Sequence, residues 1–176
     1  MDSLTMHYVA RELDERWRER RIVACHVDRG SDAVTIWCEQ SEAISLDLRA
    51  LAIRAVSADP HGDLLRGWTM MNVEAPTDER RLVIRCERPG KFRGSASKRG
   101  DIEVSFVPTA RGARVRDARH VLASLGSPLR PIAKPRPILD DATARAAIAS
   151  RDRVTLLGGR WMSPDICHAL FSHPDG

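Results

Sequence analysis

The chain spells out one pattern twice. AVTIWCEQ (33–40) and RLVIRCER (81–88) are apolar-polar runs that both end on Cys-Glu, at 38–39 and 86–87. The lead-in to each is also shared. SLTMHYVARELDERWRERR (3–21) carries Met6, Val9, Leu13 and Trp17 at spacings of three and four with charges between them, which predicts an amphipathic helix. Ser3 or Thr5 is placed to cap it. RIVACHV (21–27) then switches to period two, DRGSD supplies a hairpin turn, and AVTIWCE (33–39) returns. After 48 residues the order restarts, with HGDLLRG (61–67) as a short helix, WTMMNVE (68–74) as a strand, APTDE as a turn and RRLVIRCE (80–87) as the return strand. A duplicated helix–strand–strand unit restricts the fold to α+β, a β-rich, sandwich-like domain.

The remaining segments extend this plan. AISLDLR (43–49) alternates at Ile44, Leu46 and Leu48, and LAIRAVS (51–57) is a further strand. DIEVSFVP (101–108) and ARVRD (113–117) are two more, and a short helix is expected at 118–125. GSPLRPIAKPRP (126–137) holds four prolines and no acid, the composition of a linker or extended arm. LDDATARAAIAS (139–150) predicts a small helix capped by Asp140 or Asp141. RDRVTLLGG and SPDICHALF predict two helices joined by GGRWM (158–162), with Ser163 as cap and Pro164 in the first turn. The expected organisation is an α+β domain over 1–125, a linker over 126–138, and a helical hairpin of helix–hairpin–helix type over 139–176.

Charge is partitioned unevenly along this plan. Residues 1–75 carry a net charge of −4, residues 76–136 carry +9 and residues 137–176 carry −1. The modest overall +4 therefore conceals one basic segment, the electrostatic footprint expected of a polyanion binder. Within it RPGKFRGSASKRG (88–100) has five cations, three glycines and no acid. As a flexible loop it would offer Lys91, Arg93, Lys98 and Arg99 to phosphates and Phe92 to a base. As a solvated connection it would do neither. It is not a nucleotide-binding P-loop, because a GxxxxGK followed by Ser or Thr is missing.

The four cysteines, Cys25, Cys38, Cys86 and Cys167, form no CxxC pair, and three lie in strand-like runs, so free buried thiols are expected rather than a disulfide or a zinc site. The six histidines show no ligand spacing. No cofactor is expected, and no nucleophile–base constellation is visible. Nor is there a run of eighteen apolar residues or a charged-then-apolar leader, so a cytoplasmic location is expected.

The opening DSLTMHYVARELDERWRERRI, the progression through LLRG and VEAPTDERRLVI, and the closing LLGGRWMSPDICHAL together resemble the NFACT family. These are the ribosome-associated quality-control factors also called fibronectin-binding-like proteins. The resemblance implies an N-terminal domain similar to that of formamidopyrimidine-DNA glycosylases, then a helix–hairpin–helix region. It also implies binding to tRNA or rRNA on the large ribosomal subunit. The family's Asp-Arg pair falls on Glu79 and Arg80, with the aspartate replaced. Its Gly-Arg-x-Ser-Asn segment is reduced to TARGA (109–113), which leaves Arg111. The family's coiled coil and C-terminal RNA-binding domain have no counterpart, as expected either of a fragment or of a stand-alone relative. The glycosylases use an N-terminal proline with a neighbouring glutamate. Here the start is Met1-Asp2-Ser3, so base excision is not expected. The expectation is a non-enzymatic RNA-binding module using Glu79, Arg80, Lys91, Phe92, Arg93, Lys98, Arg99 and Arg111. Non-catalytic DNA binding or a protein-docking role stand as alternatives.

Overall fold

A computed structural model describes residues 3–40, 43–76, 79–90, 95–132, 136–159, 162 and 164–172. The chain forms two compact units, Met1–Pro131 and Ile132–Gly176. The first is α+β. Helix α1 (Ser3–Trp17) precedes a four-stranded antiparallel sheet of β1 (Ile22–Asp28), β2 (Ala33–Cys38), β3 (Ala43–Asp47) and β4 (Ala52–Val56) in that order. A five-stranded antiparallel sheet follows, of β5 (Thr69–Glu74), β6 (Arg81–Arg88), β7 (Lys98–Ser105), β8 (Gly112–Arg116) and β9 (Val121–Gly126).

One core joins these parts. Met6, Leu13 and Trp17 of α1 pack with Val34, Ile36 and Leu46 of the first sheet and Leu82, Ile84, Ile102 and Val104 of the second. Period-two strands expose one face and bury the other, and here both sheets turn their apolar faces inward. Asp14 fastens α1 to the open edge of the second sheet: its Oδ1 accepts from the Val73 N–H at 2.7 Å. That donor has no ladder partner on the edge side of β5, so the helix satisfies it.

The duplication extends to individual hydrogen bonds. Ile22 opposes Cys38 and Met70 opposes Cys86; a β-bulge follows at Ile22/Ala24 and at Met70/Asn72; then Ala24 opposes Trp37 and Asn72 opposes Arg85. Every position is displaced by 48 residues. An isolated bridge pairs Arg21 with Thr69, the two equivalent residues, so a local twofold relation passes between them. Ile22 N donates to Trp68 O at 2.8 Å and Met70 N to Arg20 O at 2.9 Å. Gly67 N donates to Ile22 O at 2.8 Å and Glu19 N to Met70 O at 2.7 Å. These are two symmetry-matched pairs.

Three expectations are corrected. Residues 61–67 are not a helix: residues 64–67 form a turn. It keeps only the last turn of α1, with Trp68 N bonded to Leu65 O as Arg20 N is to Trp17 O. Pro60, Gly62 and Gly67 leave no room for a longer helix, and Gly62 and Gly67 take positive φ. Residues 121–126 form strand β9 rather than a helix, because the open edge of β8 offers a row of unpaired backbone groups. Finally, the 88–100 stretch is not all loop. The β6–β7 ladder continues to Arg88 opposite Lys98, which places Lys98 and Arg99 in a strand.

The second unit has α2 (Asp141–Ala149), α3 (Arg153–Gly158) and α4 (Pro164–Ser172). Their core is Ala147, Leu156 and Cys167, with Leu139, Met162 and Phe171 packed against it. Asp140 caps α2 by accepting from Thr143 N at 2.8 Å, and Asp152 caps α3 by accepting from Val154 N and Thr155 N. Pro164 opens α4 as expected; Ser163 lies outside the described residues, as do Arg160 and Trp161 of the GGRWM turn. Among the described residues no helix is long and apolar enough to cross a membrane.

Candidate nucleic-acid interface

The outer face of the second sheet is charged, a direct result of period two. On that face RLVIRCER places Arg81, the buried Val83, Arg85 and Glu87; β7 adds Asp101 and Glu103, and β8 adds Arg114 and Arg116. Most of these charges neutralise one another across the strands. Arg116 Nε donates to both Asp101 carboxylate oxygens at 2.8 and 2.7 Å, and Arg114 Nη2 donates to Glu103 Oε2 at 2.8 Å. Asp101 and Glu103 are only 5% and 4% exposed, so each needs its arginine. The Asp101 carboxylate, chiefly through that hydrogen bond, raises the Arg116 guanidinium further above its ordinary pKa. Arg85 holds Glu74 Oε1 through Nε and Nη2 at 3.0 and 2.8 Å. Arg81, itself buried, donates to Arg130 O at 2.8 Å. Its Nε lies 3.0 Å from Glu79 Oε2, an ion pair without the alignment of a hydrogen bond.

The unneutralised cations collect at one end of this sheet. Arg88 and Lys98 are directly opposite in the ladder, both exposed, and Arg99 follows opposite Glu87, alternating to the other face of the same sheet end. Arg119 is exposed on the neighbouring β8–β9 connection, which Asp117 shapes by accepting from the Arg119 and His120 N–H groups at 2.9 and 2.8 Å. Those two bonds lower the Asp117 pKa, and the nearby Lys98 adds to the effect. Arg88, Lys98, Arg99 and Arg119 make no ion pair among the described residues. Lys91, Phe92 and Arg93, also named from the sequence, lie outside the described residues.

The other sequence-named residues occupy the opposite end. Phe106 N donates to Arg80 O at 2.7 Å, and Arg111 precedes Gly112, which pairs with Ser105. Arg80 and Arg111 therefore flank the far end of β7, about 20 Å from Arg99 at roughly 3.3 Å per residue. Glu79 does not pair with Arg80 as a hairpin-end couple; the guanidinium beside it belongs to Arg81. Eight residues named together thus divide between two ends of one sheet and the undescribed stretch. Arg88 and Arg119 join the cationic end without having been singled out. The signal available for Arg88 was its place as the last residue of an alternating run. For Arg119 there was none, since its connection was expected to be helical.

Among the described residues no group of three His, Cys, Asp or Glu side chains is placed to hold a metal ion. Fold and site together define a class: a two-sheet α+β scaffold with a small helical unit, one outer face self-neutralised and one end cationic. No family model matches the chain, and no curated protein does. Solved structures do. The N-terminal domain of the fibronectin-binding protein PavA from Streptococcus pneumoniae is 12% identical over 97% of this chain and 78% of that one, with a TM-score of 0.68. The N-terminal part of the fibronectin/fibrinogen-binding protein FBPS from Streptococcus suis is 11% identical over 98% and 84%, at 0.65. The fibrinogen-binding protein from Staphylococcus aureus is 12% identical over 95% and 72%, at 0.66. At such identities the likeness is one of fold, and it extends across both compact units.

Proposed function

We propose that this chain is a non-enzymatic RNA-binding module of ribosome quality control, contacting tRNA or large-subunit RNA through the cationic end of its second sheet. One observation carries the reading: Arg88 stands directly opposite Lys98, and neither pairs with a carboxylate among the described residues. Like charges facing each other across a ladder destabilise it, by a few tenths of a kcal/mol or more. A phosphate group reverses the sign of that interaction and releases counterions as it does so. Elsewhere on the sheet the half-buried arginines Arg85 and Arg116 are paired with carboxylates. The resemblance to NFACT proteins gives the polyanion its identity as RNA. The neighbours' names speak of fibronectin and fibrinogen, so a protein partner is the outcome to test against.

Binding of tRNA, duplex DNA and an unstructured single strand, each at two salt concentrations, decides the matter. The reading expects tRNA to bind, to weaken steeply with salt, and to be lost in the triple variant Arg88→Gln, Lys98→Gln, Arg99→Gln. A preference for duplex DNA would replace RNA with DNA as the ligand. Salt-insensitive or absent binding would overturn the nucleic-acid reading and leave a protein partner.

A further inference from the structure

The two repeats share a bulge but use it differently. In the first, the extra residue is Val23, which packs on the small outer cluster of Ala24, Trp37 and Ala43; the Trp37 indole N–H reaches Ala58 O at 2.9 Å, and His61 lies edge-on to the indole. The bulge there serves packing. In the second, the extra residue is Met71, 48 positions on, and the position equivalent to Trp37 is Arg85. Nothing caps it. Met71 stays 41% exposed on the wall of a cleft of about 730 Å³, whose other walls include Arg85, Glu87, Arg99, Asp101 and Arg116. A bulge re-aims a side chain, and an exposed methionine re-aimed into a cleft of this size is a ligand-facing arrangement.

The charges in the cleft specify what would fit. Arg85 is held by Glu74, and Arg116 by Asp101. Two groups remain without a partner among the described residues: the Arg99 guanidinium and the Glu87 carboxylate, which face each other in the ladder without forming an ion pair. A polyphosphate would meet too few free cations and too many carboxylates. A ligand with one anionic group, one or two hydrogen-bond donors and a flat apolar face meets all three features.

We infer that this cleft holds a single nucleotide of the bound strand, its phosphate on Arg99, its sugar hydroxyl or base amine on Glu87, and its base against the Met71 thioether. The inference rests on the RNA reading above and adds to it a specific pocket. A guanidinium binds phosphate by charge-assisted hydrogen bonds, and a polarisable sulfur packs well against an aromatic ring.

The test uses the intact, isotope-labelled chain and 5′-nucleoside monophosphates, with inorganic phosphate and ribose 5-phosphate as controls. Amide shifts are expected at residues 71, 85–87, 99–101 and 116–118, with the nucleotides binding more tightly than either control. Arg99→Gln should weaken the nucleotide by about tenfold or more, and Met71→Ser by about threefold. Arg111→Gln, at the far end of β7, should leave it unchanged. All three sites are surface positions, and the spectra themselves report whether each variant is folded. Equal shifts with inorganic phosphate would overturn the nucleotide assignment in favour of a plain anion site, and no shifts in the cleft would overturn the site. RNA binding that persists with an empty cleft defeats only this inference. A cleft that takes nucleotides in a chain that ignores RNA defeats only the reading it rests on.

Discussion

Cys25, Cys38 and Cys86 lie in the shared core, and Cys38 and Cys86 are the equivalent residues of the two repeats. Burial pushes the thiols of Cys25 and Cys38 up to about 12, and that of Cys86 up as well. Only the thiolate reacts with a disulfide reagent, and four units below its pKa a thiol is about one part in ten thousand ionised. At pH 8 these three should therefore not react fast in the native chain, Cys167 is buried as well, and all four should react on unfolding. A fast-reacting thiol in the native state would mean that one of these side chains reaches solvent. The placement of these cysteines was legible, because each sits at an alternating apolar position. The partner of Arg81 was not. Glu79 is two residues away but Glu103 and Arg130 come from distant segments, and no periodicity encodes such a junction.

At the scale of elements, the strands were read well because period two is a local property, enforced by the pleat. Two expected short helices failed, each for its own reason. Val121, Leu122 and Leu125 recur at helical intervals, yet the open β8 edge offered a full set of hydrogen bonds and the segment paired with it. The turn at 64–67 is the residue of a helix whose sequence no longer supports one. It predicts a stability difference within the duplication. Glu19 and Gly67 are equivalent and both left-handed, at φ 66 and 77. Glutamate bears a steric cost there that glycine does not, so Glu19→Gly should stabilise the chain by about 1 kcal/mol and Gly67→Ala should destabilise it by a similar amount. Denaturant midpoints at constant m-value measure both. In the helical unit, hydrogen bonds from Thr143 lower the Asp140 pKa and those from Thr155 lower that of Asp152. A carboxyl depressed in the folded state contributes stability above its unfolded value of about 3.9 and loses it as pH falls through the lower folded one. Helicity should accordingly decline as pH falls below 4 in the native chain, and less so in Asp140→Asn/Asp152→Asn, whose amide caps do not titrate. An equal acid loss in both would place the effect elsewhere.

For the whole molecule the decisive quantity is where charge remains after pairing. The +9 of residues 76–136 is a property of the list of residues; four of its arginines, Arg81, Arg85, Arg114 and Arg116, are consumed by carboxylates on one sheet face. What survives is concentrated where the β6–β7 ladder and the β8–β9 connection meet, with Arg88, Lys98, Arg99 and Arg119 on the described surface. Sequence counting found the basic segment but could not find its end, because pairing is set by register and register by the duplicated fold. That location has a thermodynamic signature. Four phosphate contacts on a single strand give a log–log salt slope of about −3, at roughly −0.7 for each. Removing Arg88, Lys98 and Arg99 together should flatten the slope by about 2, whereas replacing Arg80 and Arg111, at the other end, should leave it unchanged. The reverse pattern would move the proposed interface to the Arg80 and Arg111 end of β7.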